Sequence, residues 1–582
     1  MYKQVLDPVG DSLGLSSIFA ALPLVTLFVL LGVLRMKAWK ASLIALGVAI
    51  VVALAIYSMP VGQTLAATTE GAAFGFFPIM WIVLNAIFIY TMTVVTGHFD
   101  VLRRSFAKVS DDQRVQAVII AFCFGALLEA LAGFGTPVAI TSVMLIALGF
   151  RPIKAASVAL VANTAPVAFG AIAVPITTLA TVSGLPQDDL GAMVGRQTPI
   201  LALFVPLALV FMIDGRRGLR QTWPAAVVCG AAFGVAQFAV SNYVSIELTD
   251  IVASLVGAGA TVLLLRVWSP TESYVETEER ELVGTTAGRG AVAAGSSGTA
   301  SLGIGSDDTG SGPTGAGRAD TRTGTGGGAA EIEVVDSSAD VARAYAPYLI
   351  IIAVFVVAQI PAVKDALDSV TKTFGWPGLH IENSKGEPST ISDFKLNWLG
   401  AAGTLLLIAG LITIPVLRIT PARAARAYAD TWRQMAFALL TVMTVLALAY
   451  VMNASGQTTT LGLWMAGAGG FFAVLSPILG WLGVAVTGSD TSSNSLFGAL
   501  QVTAAKQTGL DPLLMAAANS SGGVLGKMIS PQNLAIAAAA VGLSGREGDL
   551  FRKVFVWSVL FVAGMCVLVY LQSTSVLGWM VP

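Results

Sequence analysis

Two sets of small polar residues interrupt long apolar stretches far apart in the chain. Asn163 and Thr164 lie in Val161-Ala-Asn-Thr-Ala-Pro166, followed by Gly170 and Pro175. Asn519, Ser520 and Ser521 lie in Ala517-Ala-Asn-Ser-Ser-Gly522, followed by Gly526 and Pro531. Asn, Gly and Pro recur at one offset of 356 residues. An Asn-Thr or Asn-Ser break in a helix frees backbone carbonyls and N–H groups. The helix that starts after it presents partial positive charge, which suits a carboxylate. The amide and hydroxyl side chains add further donors and acceptors. Such residues also serve merely to cap helix pieces or to bond between helices. Two breaks at one spacing favour a binding site, because paired interruptions in corresponding positions of two halves point to where a transporter holds its solute.

A second pair of interruptions precedes the breaks. Gly133, Gly135 and Thr136 stand in Gly133-Phe-Gly-Thr-Pro137, and Ser489, Asp490, Thr491, Ser492, Ser493 and Asn494 follow Thr487-Gly488. Glycines there permit tight turns and close backbone approach, and the hydroxyls and amide suit the oxygens of a small solute. The plainer reading is that a turn needs polar residues. Ionisable residues within apolar segments are functional candidates. Glu129 lies one turn before Gly133, Asp490 sits in the second interruption, and Lys527 follows the second break. A carboxyl taken out of water favours its protonated form and so suits a proton carrier, a role open to Glu129 and Asp490. Lys527 suits either a substrate carboxylate or an ion pair with one of those acids.

The elements that must position these residues are apolar helices. Of 582 residues, 55% are hydrophobic and 12% charged, and mean hydropathy is +0.78, where soluble domains carry about 25% charged residues. The chain reads as an all-α polytopic membrane protein in contact with the lipid bilayer. Net charge of −1 gives no nucleic-acid footprint. Cys123, Cys229 and Cys566 lie in apolar runs without metal-ligand spacing. No metal or cofactor is expected, and His98 and His380 fall in expected loops with no nucleophile to partner. No cleavable leader is evident, and Ile18–Leu34 reads as a retained span.

A Gly/Ser/Thr-rich stretch, 270–343, cannot bury a core and reads as a disordered linker. It separates membrane halves 1–269 and 344–582. Lys and Arg collect in cytoplasmic loops, and their distribution places both termini outside and the linker inside. Segment 115–150 starts and ends inside, and 462–507 starts and ends outside. Each is a re-entrant hairpin or two full spans, which charge alone does not separate. Broken helices are expected at about 155–182 and 511–541. Ala73–Thr96 runs inward and its counterpart Gln434–Asn453 outward, so the halves read as inverted repeats.

The stretch Phe124-Gly-Ala-Leu-Leu-Glu-Ala-Leu-Ala-Gly-Phe-Gly-Thr-Pro-Val-Ala-Ile-Thr141 resembles the signature of the L-lactate permease family. Gly488-Ser-Asp-Thr-Ser-Ser-Asn494 and Gly526-Lys-Met-Ile-Ser-Pro-Gln-Asn533 resemble it too. The resemblance spans nearly the whole chain outside the linker. Ala130-Leu131 and Thr136 depart from the family's commoner Gly and Ala, a change suited to tuning substrate size. The resemblance implies proton-coupled symport of lactate and other small 2-hydroxymonocarboxylates such as glycolate across a prokaryotic cytoplasmic membrane, rather than enzymatic chemistry. It also implies an inverted-repeat fold with about 12 transmembrane helices, two re-entrant hairpins and two broken helices. Sodium-coupled carboxylate symport is the alternative. Oligomeric state, a homodimer included, is open, as is the choice between elevator and rocking motion.

Overall fold

The computed structural model describes residues 2–582 except 35, 108, 134, 275–335, 359, 383–392 and 544–545. Most of the expected linker therefore lies outside the described residues. The two flanking parts, up to Glu276 and from Ser337 onward, form one compact unit.

That unit is helical, with two small two-stranded sheets at its edge. Among the described residues, nine helices are long and apolar enough to cross a bilayer, ten with the bent pair Pro152–Ala162 and Val167–Ser183. The sequence expectation of about 12 divides the chain differently. Gln187–Tyr243 is helical over 57 residues, yet it folds back at Asp214–Gly215, where Gly215 takes φ 58° and ψ −144°. Gly195 lies against Ser241, Gly234 against Pro199 and Gly230 against Ala202, so its two legs run antiparallel. Thr249–Leu265 and Ala402–Val416 are apolar but shorter than the others.

One expected loop is helix. Residues 60–72, without Lys or Arg, read as a connection between spans, but Val61–Phe74 is helical and leads across a kink at Phe77 (φ −129°, ψ 122°) into Trp81–Val95. Its Thr64 and Thr68 hydroxyls donate to the carbonyls of Pro60 and Thr64 at 3.1 and 2.8 Å. Back-bonding of this kind satisfies a hydroxyl inside a helix, which is why a stretch of modest hydropathy still forms one. Gly71 lets this helix touch the Ala447 backbone, and Gly75 that of Met443. Farther along, Phe88 meets Tyr428 edge-on, ring centroids 4.9 Å apart. The stretch 61–95 thus lies antiparallel to helix Pro421–Ser455.

The elements after these two long helices follow one order in each half. A short helix comes next, His98–Ala107 or Gln457–Met465. An antiparallel helix pair follows, 113–132 with Thr136–Ala147, or Phe472–Thr487 with Asp490–Thr508. Then comes a helix with a break, Pro152–Ala162 to Gly170–Ser183, or Pro512–Gly523 to Pro531–Ala540.

Both termini are tied down. Tyr2–Lys3 pairs with Ile381–Glu382, and the Tyr2 hydroxyl reaches the carbonyls of Tyr57 and Ser455 at 2.9 and 3.0 Å. Arg196 donates to the carbonyl of Met580 at 2.8 Å. This cation broke the expected charge pattern; its partners show that it anchors the C-terminus.

Candidate functional site

The first break is a change of backbone hand. Pro152–Ala162 ends at Asn163, a 3-10 turn spans Val167–Phe169, and Ala171, Ile172 and Ala173 take φ of 46°, 57° and 57°. Such values are rare for residues with a side chain. The second break is a 3-10 stretch, Val524–Ile529, ended by Ser530, whose hydroxyl accepts from the N–H of Asn533 and caps the following helix. The second helix pair packs backbone to backbone on this break. A Cβ on Gly480 would sit 1.8 Å from the Asn519 carbonyl, and one on Gly522 would sit 2.2 Å from that of Pro477.

A cavity of about 130 Å³ lies where the two turns and the two breaks converge. Gly133 and Gly135 line it from the first turn, and Thr487, Gly488, Ser489, Asp490, Thr491 and Ser492 from the second. Gly170, Ala171, Val174 and Pro175 line it from the first break, and Lys527, Gln532 and Asn533 from the second. Glu129 and the 438–442 part of the Pro421–Ser455 helix complete the wall.

The charges inside are arranged unequally. Lys527 Nζ donates to Glu129 Oε1 at 2.6 Å, and both side chains are less than a tenth exposed. Asn163 Nδ2 donates to the other carboxylate oxygen, Oε2, at 2.9 Å. Glycines make room for this acid, since a Cβ on Gly133 or Gly170 would come within 2.7 or 2.8 Å of Oε1. Asp490 receives the Ser520 hydroxyl at 2.6 Å and Asn494 Nδ2 at 3.4 Å, both on Oδ2. Its Oδ1 is buried without a hydrogen-bond partner.

Several sequence-selected residues stand behind the wall instead of on it. Asn519 Nδ2 donates to Asn494 Oδ1 at 2.9 Å, and its own Oδ1 accepts from Gln501 at 3.0 Å. Asn494 Nδ2 also reaches the carbonyl of Pro175 at 3.1 Å, joining the second turn to the first break. Ser493 donates to the Gly480 carbonyl at 3.1 Å. Thr164 is spent on the carbonyl of Val161. Ser521 Oγ is buried and unpartnered, and Thr136 begins the helix after Gly135 without reaching the cavity. Asn163 and Asn519 therefore hold other side chains in place, and neither lines the cavity.

Matching to known families places residues 16–305 and 313–576 on the model of the L-lactate permease family. The chain belongs to that family. It is 39% identical to an L-lactate permease of Bacillus subtilis, over 100% of both chains. It is 40% identical to the glycolate permease GlcA of Escherichia coli, over 100% of this chain and 99% of that one. Among solved structures, MtrF of Neisseria gonorrhoeae aligns at a TM-score of 0.43 and 13% identity, over 88% of this chain and 84% of that chain. The permease is thus a multi-pass membrane transporter and not an enzyme.

Sequence reasoning missed two residues of the cavity wall and two buried acids away from it. Thr441 and Val442 lie in a helix that reads as ordinary lipid-facing filler. Glu70 is 1% exposed within Val61–Phe74, but it fell in an expected loop. Asp250, also 1% exposed, accepts from Gln237 at 3.0 Å near the start of Thr249–Leu265. For Glu70 a misplaced boundary hid the signal, whereas Asp250 stood at the start of an expected span, Thr249–Leu265, and was passed over.

Proposed function

We propose that this permease carries lactate and related 2-hydroxymonocarboxylates, glycolate included, together with protons across the cytoplasmic membrane. The single observation that carries this reading is the pairing of charges in one small cavity: a lysine already engaged by Glu129, beside an aspartate, Asp490, with no cation bonded to it. The names of the relatives, lactate and glycolate permeases, supply the substrate class. A cavity of about 130 Å³ suits a small organic acid.

In this reading the substrate carboxylate shares the Lys527 ammonium, which has three donors, and the substrate hydroxyl bonds within the Ser489–Ser492 turn. An ionised Asp490 would repel an incoming anion across a medium of low dielectric. A proton on Asp490 removes that repulsion, so proton and anion each strengthen the other's binding. That mutual dependence is the physical basis of symport. Glu129 keeps the lysine charged and placed between cycles.

We further read the two halves as inverted repeats and the two helix pairs as re-entrant hairpins. The shared order of elements and the antiparallel packing of 61–95 on Pro421–Ser455 support the first. The length of Thr136–Ala147 supports a hairpin in the first half, since its 12 residues span only about 18 Å of a hydrocarbon core about 30 Å thick; in the second half the hairpin rests on the shared order of elements. The termini are outside and the linker inside. Glu272, at the start of the 270–343 stretch, bonds to Arg217 in a cation-rich turn, which supports that orientation.

Uptake of labelled L-lactate into proteoliposomes under an imposed inward proton gradient, without sodium, tests the reading. Uptake collapsed by a protonophore is expected. Uptake that follows a sodium gradient and ignores pH would overturn the coupling.

A further inference from the structure

Two larger cavities flank the site. One of about 840 Å³ is lined by Met36, Lys37, Ile529, Ala535, Glu547 and Phe551, among others, and shares Ala38, Thr487 and Gln532 with the site cavity. The other, of about 340 Å³, is lined by Thr177, Thr181, Lys395, Asn397, Phe74 and Tyr450, among others, and shares no lining residue with the site.

Chain direction orders these cavities. Helix Pro421–Ser455 starts beside Arg418, Arg423 and Arg426 and ends at Ser455, next to the N-terminal strand. Its Ala438 and Val442 line the site, and its Tyr450 lines the 340 Å³ cavity, about two turns or roughly 12 Å farther along. Helix Gly170–Ser183 repeats that order, with Pro175 at the site and Thr181 at the same second cavity. The 840 Å³ cavity lies the other way. Its Lys37 and Glu547 adjoin Lys40, Arg546, Arg552 and Lys553, the kind of cationic cluster that marks the cytoplasmic face. Lys37, Pro531, Gln532 and Gly548 on its wall are exposed.

We infer that this structure is the cytoplasm-facing state of the permease. The 840 Å³ cavity is the substrate's cytoplasmic vestibule. The 340 Å³ cavity is an outer antechamber, shut from the site by the Phe74–Tyr450 ring pair. Those rings are stacked with centroids 6.1 Å apart and planes 26° apart. They bridge the two long helices 61–95 and Pro421–Ser455, so a small slide of one helix on the other would part them. The inference rests on the transport reading, because it names what passes through the chambers.

Side-specific labelling tests it without relying on uptake. The native Cys123, Cys229 and Cys566 are buried, so single cysteines at Ala535→Cys, Ala438→Cys and Thr181→Cys can be read with a membrane-impermeant thiol reagent on oriented vesicles. In the absence of substrate, Ala535→Cys and Ala438→Cys should react from the cytoplasmic face at least about tenfold faster than from outside. Thr181→Cys should react from outside. Adding Phe74→Ala should raise the outside reactivity of Ala438→Cys. Equal or faster labelling of Ala438→Cys from outside in the otherwise native chain would overturn the assignment of state, and no change with Phe74→Ala would overturn the gate. If Ala438→Cys does not fold, the faces of Ala535→Cys and Thr181→Cys still decide the order of the chambers. Correct labelling without lactate uptake would instead overturn the substrate reading and leave the access route standing.

Discussion

The two turns that meet at the cavity share an architecture and differ in electrostatics. On the first side, Glu129 is saturated, with Lys527 on one oxygen and Asn163 on the other. On the second side, Asp490 has hydroxyl and amide partners on one oxygen and none on the other. The cation that serves the first acid comes from the second half of the chain. A shared order of elements therefore does not give the same charge arrangement. In the proposed reading one acid is a fixed counterion and the other exchanges a proton.

The largest expected effect falls on the paired side. Glu129→Gln leaves the buried Lys527 charge without its counterion, and removing one partner of a buried pair typically costs about 3–5 kcal/mol. Thermal unfolding in detergent should show a marked loss of stability, and Glu129→Gln with Lys527→Met should regain much of it without regaining uptake. If the single variant is as stable as the native chain, Glu129 is not the counterion.

Packing on the second side should matter next. Gly480→Ala pushes a methyl into the Asn519 carbonyl, an overpacking cost of about 1–3 kcal/mol. It should impair transport through displacement of the break. Gly170→Ala meets instead side-chain atoms of Glu129, Oε1 at 2.8 Å and Cγ at 3.1 Å, a looser contact with a side chain and not with backbone, and its stability cost should be the smaller of the two. Reversal of that order, read by thermal unfolding, would contradict the difference drawn between rigid and adjustable neighbours.

Smaller effects are expected at the two asparagines. Asn519→Ala strands Asn494 Oδ1 and leaves Gln501 Nε2 with the Ser476 carbonyl alone, and an unsatisfied buried group costs about 1–3 kcal/mol. Asn163→Ala removes one donor from an acid that keeps its lysine. Both should lower the maximal rate of uptake more than they weaken substrate affinity, because neither side chain lines the cavity. A large rise in KM with unchanged rate in either variant would return that residue to the substrate.

Much of this was legible in the residues. The repeated Asn…Gly…Pro spacing located both breaks, and Glu129, Asp490 and Lys527 stood out as charges in apolar runs. The depth of each residue was not legible. A helix break shows where polar atoms are needed, but not whether they face a solute or each other. Asn494, Asn519 and Gln501 face each other because the chain brings together positions with no pattern in common. Helix Val61–Phe74 escaped notice because its threonines and Glu70 lower its hydropathy, although Thr64 and Glu70 are buried. The fold-back at Gly215 could be read from the Arg216-Arg217 charges but not from periodicity.

The central claim is that Asp490 carries the coupled proton while Glu129 does not. Asp490→Asn keeps the shape and the bonds of the turn but cannot ionise. In proteoliposomes it should still exchange labelled lactate for unlabelled lactate at equal concentration on both sides, a process that needs no net proton movement. It should fail to accumulate lactate under an inward proton gradient. Gradient-driven accumulation by Asp490→Asn at the native level would contradict the account.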